Sequence, residues 1–151
     1  MNRFDFDTEI ITSPPYECFV GNWDGVCRTF SPEGEFLEDT KVKIQVNWIS
    51  ANQWHFYEHI SNLYQVGKVA YEFDVNVQGK YCYGSSPQIE IQGVQLTSTN
   101  YVFTMKSQVS QSTVYNNHYF ITPDHRRIIT HKLKDGVTYI FQIQDFVKVV
   151  V

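Results

Sequence analysis

The sequence predicts an all-β protein, an antiparallel up-and-down barrel of about 8–10 strands with a lipocalin-like size and layout. The first observation is composition. Aromatic residues make up 16% of the chain, and Val, Ile and Thr are frequent, whereas Ala and Leu, the best helix formers, are scarce. The second is the alternation of apolar and polar residues along short runs. The third is the short connections between those runs, which favour consecutive hairpins and a sheet closed without free edges.

The chain has 151 residues, the length of one ordinary domain. We predict a single barrel domain over residues 1–151, with residues 1–18 as a lead-in that closes one barrel end. The lead-in contains Ser13-Pro14-Pro15, and no linker, low-complexity tract or fixed-period repeat follows it. A chain of this size can bury a core or enclose a cavity large enough for a small ligand.

The predicted strands follow in order, each bounded by a turn signal. The first covers residues 19–30 and ends at a turn over residues 31–34 that contains Pro and Gly. In residues 41–48 the even positions are apolar and the odd positions polar, so one face of that strand points to the interior. Asp135-Gly136 is a strong hairpin signal between the last two strands. The other runs cover residues 69–77, 81–83, 88–91, 101–106, 114–121, 126–133 and 138–149.

Residues 54–64 can be read in two ways. Starting at Phe56, four apolar side chains follow the helical spacing i, i+4, i+7, i+8, behind a Ser50 that could cap a helix. We favour a strand, because both neighbouring segments are strands with short connections and the segment is rich in aromatic residues.

Gly21-Asn22-Trp23, at the head of the first strand, resembles the Gly-x-Trp signature of lipocalin-like (calycin) barrels. In that superfamily the Trp plugs the closed end of the barrel, and an Arg from a late strand stacks over it and hydrogen bonds to the lead-in backbone. The resemblance implies this fold-stabilising role for Trp23 with Arg126 or Arg127. Residues 19–35 are more specifically similar to lipocalin-like proteins from cyanobacteria, some of which act in chromophore handling or in pigment and natural-product biosynthesis.

The net charge and the spacing of the cysteines limit the partners and the compartment that we expect. The formal net charge is −4, and no basic run is longer than His125-Arg126-Arg127. Nucleic acids and anionic membranes need a larger basic patch, and no apolar run reaches the ~20 residues of a membrane span. We expect neither partner and no cofactor. The three cysteines have no metal-ligand spacing, which favours a reduced, cytoplasmic protein over a secreted one with a single disulfide.

Two histidine patterns bear on metal binding. His55-Phe56-Tyr57-Glu58-His59 matches the His-x-x-Glu-His pattern of inverted zinc proteases, which requires both histidines on one helix. On a strand, at about 3.3 Å per residue, the two histidines stand about 13 Å apart, too far for one ion. His118 and His131 lie on neighbouring runs and could share a ligand, a proton or a metal if both point inward. We predict no metal site.

Glu58, His118 and His131 are the predicted catalytic residues if the barrel performs chemistry. On a strand Glu58 shares a face with Trp54 and Phe56, and an apolar wall would raise its pKa and make it a general acid or base. The opposite orientation, with Glu58 in solvent, fits the alternation almost equally well.

The predicted function is to bind a small apolar or aromatic molecule, including pigment-like molecules, inside the barrel. Tyr hydroxyls on an aromatic wall suit such a cavity better than a dry core, although a solid aromatic core is the alternative. The second hypothesis is that the barrel is a small enzyme, namely a cyclase, an isomerase or a chromophore lyase. The third is that it is a protein–protein interaction module. The predicted ligand-binding residues are Trp48, Phe56, Tyr71, Phe73, Tyr83, Tyr101, Phe103, Tyr139 and Phe141.

Overall fold

Ten strands form the fold. The structure, a computed structural model, describes residues 14–62, 65–107 and 109–150. A 3₁₀ turn at Glu17–Phe19 precedes the strands. The strands are β1 Gly21–Phe30, β2 Phe36–Ser50, β3 Gln53–Asn62, β4 Gln65–Gln78, β5 Tyr81–Ser85, β6 Ile89–Gln95, β7 Asn100–Ser107, β8 Ser112–Thr122, β9 His125–Lys134 and β10 Val137–Val149.

The strands close into one barrel in which each is antiparallel to the next. Nine of the ten ladders join strands that follow one another in sequence, and the tenth joins β1 to β10. The predicted up-and-down barrel is therefore confirmed, because consecutive hairpins with polar outer faces close most simply in this way. In the described part of the chain, no helix is long and apolar enough to cross a membrane.

The ambiguous segment is a strand. β3 pairs along its length with β2 and β4, so the predicted strand is confirmed for residues 54–62, and residues 63 and 64 lie outside the described part. Trp54, Phe56 and Glu58 point into the barrel. His55 points outward, where its ring nitrogens face Asp74 at 2.6 Å and Glu72 at 3.5 Å. The two-histidine metal pattern therefore has no helix to support it.

Trp23 and Arg126 meet at one end of the barrel, as the Gly-x-Trp signature predicts. The Trp23 side chain is fully buried, its Nε1 donates a hydrogen bond to the Phe19 carbonyl at 3.0 Å, and the Arg126 guanidinium carbon lies 4.6 Å from its ring centroid. Arg127 points outward and pairs with Asp145. The expected hydrogen bonds from the arginine to the lead-in do not form between residues 14–18 and Nε or Nη2 of Arg126, which have no partner among the described residues.

Aromatic side chains pack this closed end solidly. Tyr16 from the lead-in and Phe19 at the end of the 3₁₀ turn reach in, and their rings contact Tyr101 and Phe103 of β7. The buried Tyr101 hydroxyl accepts a hydrogen bond from Gln95 at 3.0 Å. Residues 1–13 of the predicted lead-in lie outside the described residues. With this end filled, the interior space lies toward the other end, at the turns that join β1 to β2 and β9 to β10.

Candidate ligand-binding cavity

The barrel interior holds a cavity of about 420 Å³. Ligand pockets for small molecules have volumes of about 300–1,000 Å³ and mostly apolar walls. Phe19 and Trp54 lie at its floor, against the packed closed end. The apolar wall is completed by inward side chains of β2 to β9, among them Val42, Ile44, Phe56, Phe73, Ile91, Phe103, Met105 and Ile128.

Polar side chains line one side of the same cavity. Several of them satisfy one another: Gln144 donates to the Thr130 hydroxyl at 3.1 Å, and Thr130 donates to Asn116 Oδ1 at 2.7 Å. Gln142 donates to Thr29 at 3.1 Å. These bonds fix the orientation of the amides, so part of the wall offers ordered polar groups to an occupant. Alternation along the strands does not predict this wall, because it assigns polar residues to the outer face.

Six of the predicted site residues line the cavity. They come from four strands of the barrel, and the alternation of apolar and polar residues along β3 and β4 identified most of them correctly as inward. The six are Phe56, Glu58, Tyr71, Phe73, Phe103 and His118.

Two predicted ligand-binding residues lie at the closed end and do not reach the cavity. Tyr101 is buried in the aromatic cluster, where its hydroxyl also accepts a hydrogen bond from the Cys18 thiol at 3.4 Å. Trp48 lies at the rim of the closed end, and its Nε1 donates to Glu17 Oε2 at 2.6 Å. Both side chains are inward on their strands but too close to the plugged end to line the cavity.

Four predicted residues do not line the cavity, which corrects their expected orientation. Tyr83 is 45% exposed on the outer face of β5, where Cys82 is the inward neighbour. Phe141 and His131 contact each other on the outer face, with ring centroids 4.9 Å apart. Tyr139 lies at an irregularity in β10 and is 42% exposed.

In β10 the residues that point into the barrel are not the ones expected, and this difference has a physical cause. Its inward positions are the even ones, since Gln142 pairs with the inward Thr130 and Phe141 with the outward His131. The two inward glutamines are tolerated because their amides find hydrogen-bond partners across the barrel wall. His118 and His131 therefore point to opposite sides of the sheet and cannot share a ligand or metal. Among the described residues, no three His, Cys, Asp or Glu side chains group as a metal site.

Glu58 is the carboxyl group among the described residues that line the cavity. Its neighbours across the sheet are Ile44 and Tyr71, and its side chain faces the interior. Burial raises the pKa of Glu58 to about 7, although the positive charges of Lys132 and Arg126 lower it in part. Burial, together with the Glu58 charge, also raises the pKa of Tyr71. Glu58 can therefore exchange a proton near neutral pH, as a general acid or base must.

Three buried N–H-bearing side chains at the floor have no hydrogen-bond partner among the described residues: Arg126 at Nε and Nη2, His118 at Nδ1 and Trp54 at Nε1. Burial lowers the pKa of Arg126 to about 9, so that it stays charged at neutral pH. Burial and the nearby Arg126 charge hold the pKa of His118 well below its usual range, so its imidazole is neutral.

No family model matches the chain, and no curated protein matches its sequence. Solved structures do share its fold. An S-type phycobiliprotein lyase from Guillardia theta superposes with a TM-score of 0.71 at 10% identity, over 90% of this chain and 91% of that chain. A protein of unknown function from the DUF3598 family of Nostoc punctiforme gives a TM-score of 0.74 at 13% identity, over 91% of this chain but only 51% of its own.

A protein from M. tuberculosis gives a TM-score of 0.63 at 9% identity, over 89% of this chain and 94% of its own. At such identities the likeness concerns the fold alone. The lipocalin-like fold that the Gly-x-Trp signature predicts is confirmed.

Proposed function

We propose that this lipocalin-like barrel binds a small apolar or aromatic molecule in its interior. The observation that carries the proposal is the cavity of about 420 Å³ between the packed closed end and the opposite barrel end. A solid core at close-packed density would fill that volume, since interiors leave few voids larger than a water molecule. Apolar walls with a few fixed polar groups are the common makeup of ligand sites.

Pigment-like molecules are the class we favour among such ligands. The aromatic rings of Phe56 and Phe73 stack with centroids 4.8 Å apart on one wall, and Phe103 lies on another. Flat conjugated molecules pack well between such rings. One structure with the same fold is a phycobiliprotein lyase, which supports this class without identifying the ligand.

A dye titration tests the proposal. An environment-sensitive apolar dye should bind with roughly micromolar affinity, about −8 kcal/mol. Tyr71→Ala should weaken dye binding at least about tenfold, because Tyr71 lines the cavity. Tyr83→Ala is the matched control, since Tyr83 lies on the outer face and should leave the affinity unchanged. Absence of binding by several apolar dyes would refute the proposal.

The enzyme hypothesis has one observation in its favour: Glu58 faces the cavity, and burial raises its pKa to about 7. A carboxyl group with that pKa transfers protons efficiently at neutral pH, as a cyclisation or isomerisation would require. Native mass spectrometry of protein purified from its own cells separates the two functions. A carrier and its Glu58→Gln variant should hold the same compound. An enzyme should release its product, whereas the variant should retain the unreacted substrate.

A further inference from the structure

The cavity floor has three polar side chains gathered around one ring. The Phe19 ring lies 4.9 Å from the Arg126 guanidinium carbon and 5.4 Å from the His118 ring centroid. The Trp54 ring stacks on it at 6.3 Å. All four side chains line the cavity, and each of the three polar ones has a buried nitrogen without a hydrogen-bond partner among the described residues.

Arg126 is the most informative of the three. Its side chain is 1% exposed, and four aromatic rings surround its guanidinium, at 4.6 to 5.6 Å from their centroids. No carboxylate among the described residues forms an ion pair with it. Aromatic faces attract a cation but accept no conventional hydrogen bond from it. A buried guanidinium with two free donor atoms therefore retains capacity for an anionic acceptor.

We propose that the cavity floor binds the carboxylate of the ligand, so that the molecule is an organic acid with an apolar, aromatic or conjugated body. This inference rests on the proposed binding function and specifies the class of ligand. The arginine offers Nε and Nη2, the pair that meets a carboxylate side-on with two hydrogen bonds. Trp54 Nε1 is a donor, and neutral His118 donates from Nδ1 in one of its two tautomers.

Lys132, the other cation among the described cavity residues, is a weaker competitor for the carboxylate. Lys132 lies on the same face of β9 as Arg126, six residues further from the closed end, or about 20 Å away at 3.3 Å per residue. Lys132 interacts more strongly with the Glu58 charge than Arg126 does, since it lowers the pKa of Glu58 by more. A ligand carboxylate beside Lys132 would therefore be repelled more strongly by the Glu58 charge than one beside Arg126, although Glu58 also acts on Arg126.

Two probes that share one fluorophore test the inference. At pH 8, 1-pyrenebutanoic acid is ionised and 1-pyrenebutanol is neutral, and the two differ only at the polar end. The intact protein should bind the acid at least about tenfold more tightly than the alcohol, as expected for hydrogen bonds to a charged acceptor. Arg126→Met should make the two affinities about equal by weakening only the binding of the acid. Arg126→Lys should keep part of it, because charge remains while the paired donors are lost.

Phe146→Leu is the matched control. Phe146 contacts Arg126 and does not line the cavity, so the variant disturbs the same cluster yet should keep the acid preference. If Arg126→Met fails to fold, the ratio of acid affinity to alcohol affinity is compared between the intact protein and His118→Phe. The His118→Phe variant should bind the acid more weakly and the alcohol with unchanged affinity.

Three outcomes would overturn the inference. Equal binding of acid and alcohol would refute the carboxylate site and leave the proposed binding function standing. Loss of the acid preference in Lys132→Met, with the preference intact in Arg126→Met, would place the anion site near the other barrel end and not at the floor. Failure of both probes to bind would count against the proposed function itself.

Discussion

Glu58 should make the stability of the empty barrel depend on pH. Its pKa is about 7 in the folded protein, against an ordinary value of 4.5. Between those two values the folded state keeps a proton that the unfolded chain has released. The contribution of Glu58 to stability therefore falls as pH rises from about 4.5 to 7 and is constant above that range. The full difference in proton affinity corresponds to about 3 kcal/mol, and cavity water screens the carboxylate, so we expect a loss of about 1–3 kcal/mol.

Glu58→Gln removes the ionisable group and keeps the side-chain shape. Urea unfolding at several pH values between 5 and 8 should show the variant more stable than the unaltered protein at pH 8 by about 1–3 kcal/mol, with little difference at pH 5. Glu90→Gln is the matched control, because Glu90 is exposed on β6 and should shift the free energy of unfolding equally at every pH. Parallel pH profiles for Glu58→Gln and the unaltered protein would refute the reasoning.

Three further predictions concern packing and metal. Trp23→Ala should lower the free energy of unfolding by about 3–5 kcal/mol in urea titrations, since it removes a fully buried indole; a loss below 1 kcal/mol would show that the plug is dispensable. Gly93→Ala should destabilise the protein by about 1–3 kcal/mol, because the new Cβ would lie 2.5 Å from Cys82 Sγ and 2.8 Å from the Phe103 ring. Treatment with EDTA should leave the thermal midpoint unchanged, and a fall of several degrees would reveal a structural ion.

The barrel could be predicted from the sequence because its determinants are local. Alternation in β2 and β4, turn residues at the hairpins and the Gly-x-Trp segment each act over a few positions, and all agree on one architecture. The same signature predicted that Arg126 or Arg127 stacks over Trp23, and the structure places Arg126 there. Phe73 and Phe103 could be predicted as inward residues because each stands on the apolar face of a strand whose two faces differ clearly in polarity.

The polar wall of the cavity could not be predicted in the same way. In β10 apolar residues occur at odd and even positions, so polarity alone selected Phe141 in place of Gln142. What places Gln142 and Gln144 inward is their hydrogen bonding to Thr29, at the other end of the chain, and to Thr130 on the neighbouring strand β9. The free donors of Arg126 depend likewise on the absence of a carboxylate around it in the described structure, which no local pattern records.

The ladder between β1 and β10 gives this barrel a distinctive folding problem. Every other ladder can form as a hairpin from neighbouring segments, but Asn22 pairs with Val149, roughly 130 residues along the chain. Bringing such distant segments together costs about 2 kcal/mol more in chain entropy than closing a loop of about 10 residues. Zipping of hairpins should therefore precede circularisation of the sheet, and until that last seam forms, the β1 and β10 edges remain open to pairing with other chains.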